Sequence, residues 1–160
     1  MNSKEKGNIY HPKFVERLFD GMSNSYERIN IIFSFGFTYF WRRAMIKKIQ
    51  INPKEKIKII DLMTGMGETW SLIKKNFPTA DLTALDISEG MLARARSKNK
   101  ALYQNKVIVT KQNVLVNNLD SNSFDLVICA FGLKTFNEDQ IQLLAKEVKR
   151  ILKPKGQFAF

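Results

Sequence analysis

The sequence predicts an α/β protein, a doubly wound and mainly parallel sheet behind an N-terminal helical cap. Three observations predict it. From Asn52-Pro53 onward, short runs of branched apolar residues alternate with stretches of helical periodicity, the mark of strand-helix units joined by right-handed crossovers. The first run leads into the acid-and-glycine loop Asp61-Leu62-Met63-Thr64-Gly65-Met66-Gly67. The second run ends in another acid, Asp86, which follows Gly67 at close to the ~20-residue separation of ribose-binding acids in such sheets.

Taken in order, residues 1–11 read as a polar tail that ends at His11, a surface residue. Pro12 suits the first turn of a helix carrying Phe14, Val15, Leu18 and Phe19. After Asp20-Gly21, Ser23 or Asn24 is placed to cap a second helix running toward Asn30. A third helix is predicted from about Thr38 to Ile49. Its apolar stripe is Phe37, Phe40, Trp41, Ala44, Met45 and Ile49, with Arg42, Arg43, Lys47 and Lys48 largely opposite. This aromatic segment, interrupted at Asp20-Gly21 and Phe35-Gly36, reads as a cap over a site; a plain helical layer on the sheet would give the same pattern. The chain thus divides into a tail and cap, residues 1–52, and an α/β unit, residues 53–160.

Within that unit the predicted strands are Ile57–Leu62, Leu82–Asp86, Val107–Thr110 and Phe124–Ala130, with a fifth beginning at Gln157. The first helix starts near Glu68 and ends near Phe77-Pro78. Ser88 caps the next, which turns Met91, Leu92 and Ala95 inward. Asn137 and Gln140 are spaced as a capping box for the last, whose stripe is Ile141, Leu144, Ala145, Val148, Ile151 and Leu152. Its final turn is basic and Pro154 stops it.

The totals narrow the class. With 160 residues, 44% hydrophobic and 26% charged, the chain fits one domain with a sizeable core. No apolar run approaches the ~20 residues of a membrane span, and no signal-peptide core follows Met1. A single cysteine, Cys129, gives no internal disulfide. These features make a cytoplasmic protein the expectation. The net charge of +11 suits nucleic acid, an anionic membrane surface or an acidic substrate. The lysines are scattered at helical spacing, however, so a nucleic-acid partner is not the expectation.

A dinucleotide loop would carry a third glycine where this chain has Trp70, and Asp61 would repel a pyrophosphate. An acid ahead of G-x-G suits instead a ligand with a cationic end, such as the sulfonium and ammonium of S-adenosylmethionine. An ordinary tight strand-to-helix turn has the same signature. Four strand ends then fit one ligand: Asp61 with Thr64, Gly65, Met66 and Gly67; Asp86 for the ribose hydroxyls; Asn113 and Val114, with Ile87, for adenine; and Ala130, within Cys129-Ala130-Phe131-Gly132, for the methionine end.

On these residues the chain resembles the class I S-adenosylmethionine-dependent methyltransferases, and more narrowly the ubiquinone/menaquinone-biosynthesis C-methyltransferases. The resemblance runs from about Phe19 to Phe160. Its most specific parts are Phe19-Asp20 through Tyr26 to Asn30, Ser34-Phe35-Gly36 followed by Trp41-Arg42-Arg43, Ser123-Phe124-Asp125, and Phe131-Gly132-Leu133. It implies a Rossmann-like sheet with five of seven strands present, S-adenosylmethionine as cofactor, and cofactor contacts at Asp61, Gly65, Met66, Gly67, Asp86, Asn113, Val114 and Ala130. It also implies a small-molecule acceptor, a prenylated quinol at the membrane surface. The sequence departs from the family at Glu27, Met66, Lys134-Thr135 and Lys155, mostly on the acceptor side.

Tyr26, Asp20 and Lys134 are the candidates for the group that removes the acceptor's proton. No cluster of metal ligands is visible. The family's sheet ends in a hairpin beside strand five, so an apolar edge is expected at Gln157–Phe160, with a second copy covering it as a homodimer. Two rival readings remain, an RNA methyltransferase and a non-catalytic cofactor- or partner-binding module. Against the first, Cys129-Ala130-Phe131-Gly132 lacks the Asn/Asp-Pro-Pro-Tyr and Pro-Cys patterns of nucleic-acid methylators.

Overall fold

Alternate residues along each strand face opposite sides, and in this chain both sides are apolar, so the sheet must be covered twice. The computed structural model describes residues 9–22 and 37–160 and shows that arrangement. The strands are β1 (Lys58–Leu62), β2 (Asp81–Asp86), β3 (Val107–Lys111), β4 (Phe124–Ile128) and β5 (Leu152–Ala159). They form one parallel sheet in the order β3-β2-β1-β4-β5, with β1 at the centre. The helices are α1 (Pro12–Met22), α2 (Phe37–Lys47), α3 (Trp70–Asn76), α4 (Glu89–Tyr103) and α5 (Glu138–Ile151). The second helix expected after Ser23 lies outside the described residues.

Two cores result. On one face Ile59, Leu82 and Leu126 pack with Trp70 and Ile73 of α3, Phe77 just past its end and Ala95 of α4, and Ile46 of α2 closes this layer. On the other, Ile60, Leu62, Leu85 and Val127 pack with Leu144, Val148 and Ile151 of α5. Ser88 accepts from the Met91 N–H, and Asn137 and Gln140 form a full capping box, so both long helices of the α/β unit begin where their caps place them.

Four expectations need correction. α2 does not bury its aromatic stripe: Phe37, Phe40 and Trp41 are 60%, 60% and 65% exposed. Its packed arc is Arg42, Met45 and Ile46, continued by Ile49 past the helix end, and it faces α3. α5 buries only Leu144, Val148 and Ile151, leaving Ile141 and Ala145 exposed, because a helix over the rim of the sheet covers one row of side chains. α3 starts at Trp70 rather than near Glu68, since Thr64 to Thr69 is spent in turns. β5 starts at Leu152, directly after α5, rather than at Gln157. The pairing jumps from Phe124↔Leu152 to Leu126↔Gln157, and Lys155 takes φ 67° in the bulge between them. Pro154 is tolerated there because β5 is an edge strand and the bulge needs no N–H from it.

Candidate active site

The carboxyl ends of β1, β2 and β4 open on one cleft of about 860 Å³, counting space continuous with solvent. At the end of β1, Asp61 is buried, and Thr64 Oγ1 donates to its Oδ2 at 2.6 Å. Trp70 Nε1 in turn donates to Thr64 Oγ1 at 2.8 Å, so the large indole of α3 fixes the hydroxyl. Asp61 Oδ1 is buried with no partner. Burial pushes the Asp61 carboxyl up to about 7; the Thr64 bond and Arg42 oppose this, while Glu68 and Asp86 add to it. Three carboxyl groups therefore converge on the cleft, and the central one keeps an oxygen with no hydrogen-bond partner.

The loop is shaped by its glycines. Gly65 (φ 57°) turns its N–H onto Asp86 Oδ2 at 2.7 Å. At Gly67 (φ 75°) a Cβ would lie 2.6 Å from the Trp70 ring, so this glycine lets the loop close over the indole. Asp86 also accepts from the Ser88 N–H at 2.9 Å through Oδ1. Burial raises its pKa against these backbone bonds, and each oxygen keeps acceptor capacity toward the cleft it lines.

α1 lies across the site as a strap. Asp20 Oδ1 accepts from Ser88 Oγ at 2.5 Å and from the Gly90 N–H at 2.8 Å, at the start of α4. Burial works to raise the Asp20 pKa, but those two bonds and the charge of Lys111 outweigh it and hold the carboxyl below its usual range. Glu16 pairs with Lys111 of β3 at 2.7 Å, and Gln140 of α5 donates to the Tyr10 carbonyl at 2.8 Å. Val15 and Phe19 of the strap line the cleft.

Beyond β3 a second, smaller recess of about 380 Å³ is walled by Ile87, Asn113, Val114 and Met63, with Pro12 and Val15 of the strap. Asn113 Oδ1 is engaged by the Leu115 N–H at 3.0 Å. Arg150 binds the Leu119 carbonyl at 2.6 Å and Asn117 Oδ1 at 2.9 Å, holding the segment after Asn113 against α5.

After β4, Phe131 takes φ 67° and turns the chain out of the sheet. A Cβ at Gly132 would come within 2.4 Å of Met63 Cε. Cys129 beneath this turn is buried, and burial, with Asp61 and Asp86, pushes its thiol up to about 12. Such a thiol is no nucleophile near neutral pH. Arg42 reaches the same turn from α2, its guanidinium carbon 5.1 Å from the Phe131 ring centroid. Its Nε is buried without a partner.

Of the residues that sequence reasoning assigned to a cofactor, Asp61, Thr64, Gly65, Asp86, Ile87 and Ala130 line the main cleft. Asn113 and Val114 line the adjoining recess. Met66 and Gly67 are buried and turn to the far side of the loop, where Lys98 Nζ donates to the Gly67 carbonyl at 2.8 Å. Among the catalytic candidates, Lys134 lines the cleft from the 3₁₀ turn Leu133–Thr135, and Asp20 anchors the strap. Tyr26 lies outside the described residues. Glu68 and Arg42 also line the cleft, and the sequence reading gave neither a role in the site. Glu68 stands directly beside the glycine loop, and Arg42 shares its helix arc with Met45 and Ile46, a spacing that could have marked it.

Comparison with known proteins gives a consistent result. A family model described as the ubiE/COQ5 methyltransferase family matches residues 3–160. A demethylmenaquinone methyltransferase of Thermotoga maritima is 35% identical over 146 residues, 91% of this chain and 59% of the relative. One from Staphylococcus aureus is 33% identical over 143 residues, 89% and 57% respectively. The chain thus spans under three-fifths of the length of these curated relatives. Among solved structures, a phosphoethanolamine N-methyltransferase of Haemonchus contortus in complex with S-adenosylhomocysteine superposes with TM-score 0.67 at 21% identity. That match covers 75% of this chain and 27% of the other, and shows the shared fold.

Proposed function

Since the chain belongs to the ubiE/COQ5 methyltransferase family, we propose that it binds S-adenosylmethionine in the cleft at the carboxyl ends of β1, β2 and β4 and directs its methyl group to a carbon of a small aromatic acceptor. The observation that carries this is the buried, partnerless Oδ1 of Asp61, set among Glu68 and Asp86 in a cleft lined by residues of three strand ends. A cationic ligand end supplies a partner for that oxygen and offsets the excess of carboxyl groups over Arg42 and Lys134 in the cleft, so the residues present fit the cofactor. Asp61 and Glu68 face its cationic end, Asp86 and Gly65 its ribose, Ile87, Asn113 and Val114 its adenine, and Ala130 its methionine chain.

When bound, the cofactor supplies an electrophilic methyl carbon; everything else falls to the protein. The walls position the acceptor in line and exclude water, as displacement at carbon requires. Val15 and Phe19 make the strap a cover, and with Thr38 and Arg42 of α2 they cap the unit 53–160. Lys134 is the described candidate for handling the acceptor's proton. The relatives' names include demethylmenaquinone, and a quinol of that kind is the acceptor class proposed here.

Among the described residues no helix is long and apolar enough to cross a membrane. We place the protein in the cytoplasm, reaching a prenylated quinol from the membrane surface through the aromatic arc of α2. The outer edge of β5, where Phe158 and Phe160 are 63% and 45% exposed, is taken as the contact between two copies.

Titration calorimetry with S-adenosylmethionine tests the cofactor assignment. Asp86→Ala is expected to weaken binding by roughly 1–3 kcal/mol, the scale of lost hydrogen bonds to a charged acceptor. Unchanged affinity in that variant would remove Asp86 from the site. Turnover of a demethylated naphthoquinol tests the acceptor.

A further inference from the structure

We propose that the cleft between α2 and the turn after β4 is the seat of a planar aromatic phenolate, with the Arg42 guanidinium as the group that binds the ionised oxygen. This rests on the methyltransferase reading above and adds to it the charge state of the acceptor and the residue that sets it.

The cleft, of about 660 Å³ counting space continuous with solvent, shares Arg42, Ala130, Phe131 and Lys134 with the main cleft. Its other walls include Trp41, Met45 and Leu133. Arg42 and Lys134 are its charged side chains, whereas Asp61, Glu68 and Asp86 line the main cleft alone. The two clefts thus share a cationic wall, and only the main one adds acids to it. The first suits a ligand with a cationic end, and the second suits a flat, apolar ligand with one negative charge.

Arg42 is built for that charge. Its neighbours on the packed arc, Met45 and Ile46, hold the helix against α3, which fixes where the side chain starts. The guanidinium lies against the Phe131 face at 5.1 Å, and a planar cation stacked on a ring is limited in the directions its N–H groups can take. Its Nε is buried with no acceptor. A buried guanidinium N–H without a partner is costly in the empty protein, and a ligand oxygen recovers that cost. No carboxylate is hydrogen-bonded to Nε, so the donor is not consumed by the acidic trio. A phenol attacks through carbon far better once its O–H has ionised. A cation at the oxygen favours release of that proton to solvent and leaves the ring electron-rich at the neighbouring carbon; once that carbon has taken the methyl group, its own hydrogen leaves as a proton past Lys134 and the ring is aromatic again.

The test needs no turnover. 4-Nitro-1-naphthol, whose absorbance changes on ionisation, is bound to the intact protein and titrated by pH, in wild type, Arg42→Lys, Arg42→Gln and Lys134→Gln. Binding to wild type is expected to lower the naphthol pKa by at least about one unit, the effect of a close opposite charge. Arg42→Lys should keep part of that shift and Arg42→Gln should abolish it, while Lys134→Gln retains most of it. No shift in wild type, no binding at millimolar naphthol, or an undiminished shift in Arg42→Gln overturns the proposal. Calorimetry with S-adenosylhomocysteine on the same samples separates the two readings. No naphthol shift in wild type with cofactor binding intact overturns the Arg42 proposal alone, and absence of cofactor binding in wild type removes the reading beneath it.

Discussion

Asp61→Asn should make the protein without cofactor more stable at alkaline pH while impairing its binding of the cofactor. In the folded protein the Asp61 carboxyl keeps its proton up to about pH 7, against a reference value of 3.8. Burial is the main cause. The unfolded chain releases that proton near pH 4, so the wild type loses stability steadily as pH rises from there through 7. The whole displacement of about three pH units corresponds to about 4 kcal/mol. The part between pH 5 and 8 is about 3 kcal/mol. Asparagine titrates in neither state, so it escapes this loss. It keeps the acceptor for Thr64 Oγ1 but sets an amide where Oδ1 has no partner, a pH-independent cost of about 1–3 kcal/mol. Urea unfolding at pH 5, 6, 7 and 8 reads both terms, the offset and the swing. The variant should gain about 3 kcal/mol on the wild type across that range. Parallel stability curves for the two proteins would refute the reasoning, because an Asp61 already ionised in the fold gives no swing. Saturating S-adenosylmethionine should restore wild-type stability at pH 8 and do much less for the variant.

Three further outcomes are expected. Gly67→Ala forces a Cβ within 2.6 Å of the Trp70 ring at φ 75° and should destabilise the fold by about 2–4 kcal/mol, read by urea midpoint. Asp20→Ala removes both bonds that pin the strap to α4, so amide exchange in residues 12–22 should quicken with the sheet unchanged; in the wild type, cofactor should slow exchange in residues 9–22 and 37–47, and equal rates with and without it would mark the cap as static. Light scattering across a concentration series should show self-association that Phe158→Lys reduces, and a uniform 18.5 kDa species throughout would dismiss the β5 contact.

The strands were legible because residues such as Ile59, Ile60, Leu82 and Val127 are branched, contiguous and bounded by turns, a combination that few other structures use. The acids at the strand ends were legible for the converse reason: a carboxylate next to a buried run needs a purpose. What the sequence hid depended on direction. Two apolar arcs compete on α2, and periodicity cannot say that Arg42, Met45 and Ile46 face inward while Phe40 and Trp41 face out. Pro154 reads as a breaker until the bulge and the edge position of β5 are known. Asp20, from a segment far from α4 in sequence, is seen as an anchor only once Ser88 and Gly90 are beside it.

The buried thiol after β4 has a practical consequence. Cys129 is the sole cysteine, and with its thiol raised to about 12 and its sulfur enclosed, alkylating reagents find almost nothing to attack in the native protein. The chain is in effect cysteine-silent. A dye placed through a cysteine introduced at an exposed position, Ile9 ahead of the strap or Leu102 on α4, would report from that position alone. Cys129 itself becomes a clock. Its slow labelling in a constant excess of reagent counts the moments when the end of β4 parts from β5, and the ratio to the rate in denaturant measures how rarely the floor of the site opens.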